Sequence, residues 1–154
     1  ILHALNDKDA LVVDMRVIDD RIKGTIPNSI SMPYTEVAMR MNELGCAKHG
    51  AKWDCSKAKK VYAFCNGPVC PQSPIAMNAM IRDGFPADKI YYYRGGMLDW
   101  EALGLTTVRQ DVAGQGHAAA ELLLRALLDD DESNETIVLP TELVVRESTG
   151  PAPR

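Results

Sequence analysis

The chain has 154 residues and a formal net charge of −4 at pH 7, with 46% hydrophobic and 25% charged residues. That balance excludes a disordered or fibrous chain and offers no basic footprint for nucleic acid or an anionic membrane surface. No apolar run reaches the length of a membrane span. The length suits one domain with a full core, plus an appendage.

In chain order, residues 2–9 read as the end of a helix and its loop. Ala10, Leu11, Val12, Val13 and Asp14 form a continuous apolar run ending in a carboxylate, which predicts a buried parallel strand. Arg16 follows two residues later, and an acid and a base at a strand exit can pair and fix the neighbouring loops. A turn over residues 24–29 leads into a short strand, Ile30 to Met32, that stops at Pro33. Thr35 is placed to cap a helix carrying Val37, Ala38, Met41 and Leu44 on one face, with Gly45 ending it. Residues 46–60 are rich in Lys, Gly and Ala and are expected to form a loop anchored by Trp53. Four cysteines, Cys46, Cys55, Cys65 and Cys70, do not make a disulfide scaffold in a chain of this size, and their spacing does not suit zinc.

The chemistry concentrates in the next stretch. Val61, Tyr62, Ala63 and Phe64 read as a short buried strand, and Cys65 stands where it stops. Asn66-Gly67-Pro68 breaks the pattern, and Ser73-Pro74 predicts a helix start with a serine cap. Loop amides converging on a helix N-terminus stabilise a thiolate, so a cysteine in this position is a candidate nucleophile. Cys70 lies in the same loop, where it serves as a resolving thiol, as the nucleophile itself, or as a small apolar group in the core. A helix over residues 73–83, a strand at Ile90-Tyr91-Tyr92-Tyr93, a tight Arg94-Gly95-Gly96 turn and a short helix over residues 97–104 complete the pattern. Alternating strands and helices predict an α/β fold, a parallel sheet with helices on both faces. Reactive groups in such sheets collect at the carboxyl ends of the strands, where Asp14, Cys65 and Arg94 all fall.

Asp14-x-Arg16, Gly24-Thr25-Ile26-Pro27-Asn28-Ser29-Ile30-Ser31-Met32-Pro33, Phe64-Cys65-Asn66-Gly67 and Arg94-Gly95-Gly96-x-x-x-Trp100 together resemble the rhodanese (sulfurtransferase) homology domain over residues 1–108. The resemblance implies a rhodanese-like sheet and a persulfide carried on Cys65. Cys70 joins it in the candidate catalytic set. Asn66, Gly67, Pro68, Val69, Ser73 and Arg94 are the expected substrate-binding residues, with Asp14 and Arg16 as structural neighbours of the site. No cofactor and no metal are expected. The expected partners are a small-molecule or protein persulfide as sulfur donor and a thiol as acceptor, with neither nucleic acid nor membrane involved.

Two departures from the family pattern bear on substrate. The stretch from Cys65 to Ser73 is longer than the usual active loop and holds no Lys or Arg, and the family's Gly-His-Ile-Pro is here Gly24-Thr25-Ile26-Pro27. A loop without cations suits polysulfides better than thiosulfate. Phosphatases related to this fold carry an arginine six positions after the cysteine, where this chain has Pro71, so the cation that phosphoryl transfer needs is missing. The alternatives to sulfur transfer are a catalytically silent binding or redox-sensing module and a fragment of a ligand-sensing regulator.

The last alternative rests on the tail. An Ala/Leu-rich helix over residues 118–128, an acidic loop over 129–135 and an apolar strand pattern over 137–149 resemble the C-terminal end of lactose-repressor-family sugar-binding domains. The expected organisation is therefore a rhodanese-like domain at 1–108 joined to a lactose-repressor-like fragment at 109–154, an apparent chimera. The chain opens on Ile1, so a truncated N-terminus is expected, and a soluble protein of the bacterial cytoplasm or periplasm is expected with no choice between the two.

Overall fold

The computed structural model describes residues 1–128 and 136–146. Its centre is a four-stranded parallel sheet in the order β2-β1-β5-β6, built from β1 (Ala10–Asp14), β2 (Ile30–Ser31), β5 (Lys60–Phe64) and β6 (Ile90–Tyr93). β1 and β5 lie side by side in the middle, in register from Ala10 opposite Lys60 to Asp14 opposite Phe64. Their continuous apolar runs are explained by burial on both faces. Val13, Val61 and Ala63 enter one core with Met32, Val37, Met41, Leu44, Ala76 and Met80. Val12 and Phe64 point to the opposite core, with Ile26, Met97 and Trp100. The short helix α1 (Ile18–Arg21) follows β1, α2 (Gln72–Arg82) covers the first face and α3 (Gly96–Ala102) the second, so the expected α/β fold is found.

Several local expectations need correction. Residues 35–44 form two separate 3-10 turns, Val37–Met39 and Met41–Leu44, instead of one α-helix, and Thr35 caps nothing. Arg40 separates them with a non-helical backbone, its guanidinium bonded to Glu36, Glu43 and the Ser31 carbonyl. The apolar spacing is satisfied either way, because Val37, Met41 and Leu44 are all buried. Gly45 does end the segment in the left-handed region, at φ 88°. α2 begins one residue early, at Gln72, with Pro71 as its N-cap, which moves Ser73 from the cap into the first turn.

The stretch after Gly45 is an antiparallel hairpin, β3 (Ala47–His49) with β4 (Lys52–Asp54), rather than a loop. Five of its six strand residues are exposed, so no alternation of apolar and polar residues announces it. Trp53 does anchor it, donating from its indole nitrogen to the Ala38 carbonyl at 3.1 Å. A disulfide between Cys46 and Cys55 closes its base, with Cα atoms 4.2 Å apart and both residues in the core. Cys65 and Cys70 are free thiols.

The tail is attached through the end of the first segment. β7 (Thr107–Gln110) exchanges backbone hydrogen bonds with Thr25 and pairs antiparallel with β8 (Thr141–Val144), reinforced by Arg109 on Glu142 at 2.6 Å. β8 thus finds a partner in a strand flanking the sheet rather than on its edge. α4 (Val112–Leu128) starts six residues before the expected helix and leaves Leu123, Leu124 and Leu127 exposed. The acidic segment 129–135 and the end of the expected strand pattern, 147–154, lie outside the described residues. Among the described residues no helix is long and apolar enough to cross a membrane.

One contact between elements sets the position of the active loop. The backbone amides of Met97 and Leu98, at the start of α3, donate to the carbonyls of Cys65 and Asn66 at 3.0 and 2.9 Å. Gly96, at φ 58°, allows this approach, since a Cβ there would overlap the Cys65 carbonyl oxygen. Gly96→Ala is therefore expected to destabilise the fold by about 1–3 kcal/mol, read as a lower midpoint in urea; an unchanged midpoint would contradict this packing. The disulfide makes a second prediction. Thiol titration of the denatured, unreduced chain should find two reactive thiols, rising to four after reduction, and four before reduction would contradict the pairing.

Candidate active site

The site is built outward from the carboxyl end of β1. Asp14 is fully buried, and its carboxylate accepts from Arg16 Nε at 2.9 Å, Arg16 Nη2 at 2.8 Å, Arg21 Nη1 at 3.3 Å and the Thr25 hydroxyl at 2.7 Å. Arg16 also donates to the Gly24 carbonyl at 2.7 Å and lies over the Phe64 ring. Its remaining terminal nitrogen donates to Asn66 Oδ1 at 3.0 Å, and Asn66 Nδ2 donates on to Asp20 Oδ2 at 2.9 Å. Asp14 and Arg16 thus hold the first residue of the active loop by its side chain, while α3 holds its backbone. Thr25 and Ser29 share the network through Arg21 and a mutual hydrogen bond of 3.0 Å. A threonine in the Gly-Thr-Ile-Pro motif therefore meets the buried carboxylate with a neutral donor.

The loop folds back on itself. The Cys70 amide donates to the Gly67 carbonyl at 3.0 Å, which turns Cys70 towards the sulfur of Cys65. Cys65 Sγ donates to the Cys70 carbonyl at 3.4 Å and approaches the Gly67 carbonyl and the Tyr92 hydroxyl at 3.9 Å each. Gly67 is buried beneath Leu98, where a side chain would collide. Pro68 and Val69 project outward at the loop apex, with Val69 94% exposed, so they rim the site and do not surround the sulfur. Gln72 ties the far end of the loop back to the β1 exit, its Oε1 accepting from the Val17 amide at 3.2 Å.

Burial pushes the Cys65 thiol up. Hydrogen bonds from the Cys70 side chain, the Ser73 amide, the Ser73 hydroxyl and the Gly67 backbone outweigh it, and the Cys65 pKa lies below the ordinary thiol value. Ser73 is fully buried, its hydroxyl finds no other partner among the described residues, and it is one of the groups that lower the Cys65 pKa. Cys70 moves the opposite way, raised by burial and by its hydrogen bond to Cys65. Tyr92 is pushed up to about 12 by burial and by Cys65, so its hydroxyl stays protonated beside the sulfur. Arg94 is exposed, and its charge is felt at Tyr92.

The structure therefore gathers Cys70, Gly67 and Ser73 around the Cys65 sulfur, while the Asn66 side chain turns away to Arg16 and Asp20. It puts Asp14 and Arg16 behind the loop, and it sets Pro68, Val69 and Arg94 at the periphery. The motif reading missed Tyr92, Arg21 and Gln72. Tyr92 is signalled only once the register of β5 and β6 is known. It pairs with Ala63 across the two strands, and side chains alternate, so it shares a face with Cys65 two residues on. Arg21 and Gln72 carry no such periodic signal.

Comparison with known proteins agrees with this architecture. The rhodanese-like domain model matches residues 1–103, and a periplasmic binding protein-like domain model matches residues 101–149. An HTH-type transcriptional regulator of Mycobacterium tuberculosis is 27% identical over 108 residues, which cover 70% of this chain and 42% of the regulator. The chain thus spans less than half the length of that relative. Among solved structures, the BH2092 protein of Bacillus halodurans superposes with a TM-score of 0.51 at 22% identity, covering 66% of this chain and 65% of that one. The Alr3790 protein of Anabaena sp. gives 0.51 at 18% identity, covering 77% and 82%. At these identities the structural likeness speaks for the fold alone. The family match over residues 1–103, on the same elements that carry the Asp14 network and the Cys65 loop, means that the chain belongs to the rhodanese-like family.

Proposed function

We propose that the protein is a sulfurtransferase that moves sulfane sulfur through a persulfide on Cys65. The single observation that supports this most is the environment of that sulfur: a buried thiol whose pKa is held low by hydrogen bonds from Cys70, from the first turn of α2 and from the loop. Cys65, as thiolate, attacks the outer sulfur of a donor persulfide or polysulfide. A sulfur–sulfur bond forms on Cys65, the donor's own sulfur–sulfur bond breaks, and the donor leaves as its thiolate. An acceptor thiolate then takes the outer sulfur and returns Cys65. The amide and hydroxyl of Ser73 and the hydroxyl of Tyr92 stabilise negative charge on the sulfur in both steps. Cys65 rather than Cys70 is the nucleophile in this scheme, because its pKa is lowered while that of Cys70 is raised.

The similarity to a transcriptional regulator favours a second reading, a silent or sensing module that binds a partner without turnover. Intact mass after anaerobic incubation with a series of donors separates the two readings. Sulfur transfer predicts uptake by the wild type that is abolished in Cys65→Ser with the fold retained, whereas no adduct with any donor would overturn it.

The low thiol pKa gives a pH prediction. The thiolate fraction rises with pH, so a group held below the ordinary thiol value completes its ionisation at lower pH. Ultraviolet titration of thiolate should show a first step below the ordinary thiol range that vanishes in Cys65→Ser. Ser73→Ala removes a donor to the thiolate and should move that step to higher pH. A first step that survives in Cys65→Ser would contradict the assignment.

A further inference from the structure

The same loop holds a second thiol that a simple transfer cycle does not use. The turn closed by the Cys70 amide on the Gly67 carbonyl folds Cys70 back over Cys65, whose Sγ lies 3.4 Å from the Cys70 carbonyl oxygen. Each thiol acts on the other's ionisation, Cys70 lowering the Cys65 pKa and Cys65 raising that of Cys70. They differ in access, since Cys65 is fully buried and Cys70 is partly exposed, beside the open apex at Pro68 and Val69. Two free thiols held in one closed turn are placed for thiol–disulfide exchange, and the more accessible Cys70 is the one an external thiol can reach.

We propose that Cys70 resolves the persulfide on Cys65, so that the domain also reduces sulfane sulfur to sulfide and passes through a Cys65–Cys70 disulfide. The proposal rests on the sulfur-transfer reading, since Cys65 must first be loaded. In the resolving step Cys70 Sγ attacks Cys65 Sγ. The bond between the two cysteine sulfurs forms and the bond to the outer sulfur breaks. The outer sulfur leaves with that electron pair, takes the Cys70 proton and departs as hydrosulfide. The two cysteine thiols are together oxidised by two electrons, and the sulfane sulfur is reduced by two. An external dithiol closes the cycle by attacking the partly exposed Cys70 sulfur, leaving as its own disulfide and restoring both thiols. This reductant belongs to the class of dithiol proteins, or their small-molecule equivalents.

The buried Cys46–Cys55 disulfide plays no part and serves as an internal reference when disulfides are mapped.

The test uses the full chain, with Cys65 and Cys70 reduced, under anaerobic conditions with glutathione persulfide as the only donor and no added reductant. Sulfide release is followed alongside intact mass and non-reducing peptide mapping. The wild type is expected to release one sulfide per chain beyond the donor-only control and to end with a Cys65–Cys70 disulfide and no retained sulfur. Cys70→Ser and Cys70→Ala are both expected to retain one added sulfur on Cys65 and to release no excess sulfide. Added dithiothreitol should make sulfide release by the wild type continue beyond one per chain. A wild type that keeps its persulfide and forms no new disulfide overturns the resolving step while leaving sulfur transfer intact. Added sulfur on Cys70 in Cys65→Ser, with none on Cys65 in the Cys70 variants, overturns it by reversing the roles. No added sulfur and no sulfide release in the wild type or in any variant overturns both the resolving step and the transfer reading beneath it.

Discussion

The rest of the site depends on one buried carboxylate. Asp14 sits fully enclosed at the carboxyl end of β1, and its charge is answered by Arg16, Arg21 and Thr25. An unanswered charge there would be costly, and removing one partner of a buried pair typically costs about 3–5 kcal/mol. The arrangement does more than neutralise. Arg16 reaches past Asp14 to Asn66, so the exit of one central strand holds the exit of the next, one residue beyond the nucleophile. α3 completes the clamp from the opposite face by bonding the carbonyls of Cys65 and Asn66, and Gly96 makes room for it. The loop is held by its first two residues and by the start of α2, which leaves the apex between them open.

This clamp decides which charges are available to chemistry. Arg16 and Arg21 are occupied by Asp14, by the Gly24 and Ser29 carbonyls and by Asn66, Thr25 and Ser29 side chains, and neither contacts the reactive sulfur. Around Cys65 the donors are neutral: backbone amides, the Ser73 hydroxyl, the Tyr92 hydroxyl and the Cys70 thiol. Such a cradle stabilises a singly charged sulfur without the bidentate cation that a sulfonate or phosphate group attracts. Arg94 acts on Tyr92, but it stands exposed to solvent, where its field is screened.

Much of this was legible in the residues, for definite reasons. The strands at β1 and β5 announced themselves because burial on both faces demands unbroken apolar runs, and Cys65 stood out because it follows one of them directly. The glycines of Arg94-Gly95-Gly96 marked a tight turn, and the structure adds that Gly96 lets the backbone approach the Cys65 carbonyl. What stayed hidden depends on tertiary partners. The Cys46–Cys55 hairpin is polar on its strands and is set by a covalent link and by Trp53 on Ala38, none of which is periodic. Residues 35–44 had the spacing of a helix, but Arg40 divides them, drawn to Ser31 and two glutamates. Tyr92 becomes visible only when the β5–β6 register is known. The tail's β8 pairs with β7 because Thr107–Gln110 offers it a free edge, a choice its own composition does not encode.

The account's central claim is that neutral donors, not cations, hold the transferring sulfur on Cys65. It is tested most directly by comparing kcat/KM for thiosulfate and for an inorganic polysulfide with the same thiol acceptor, at two ionic strengths. The account predicts that polysulfide is preferred and that the preference survives added salt, because the discriminating contacts are buried hydrogen bonds rather than exposed charges. A kcat/KM for thiosulfate above that for polysulfide would contradict it and would mean that a cation, with Arg94 the foremost candidate, reaches the substrate.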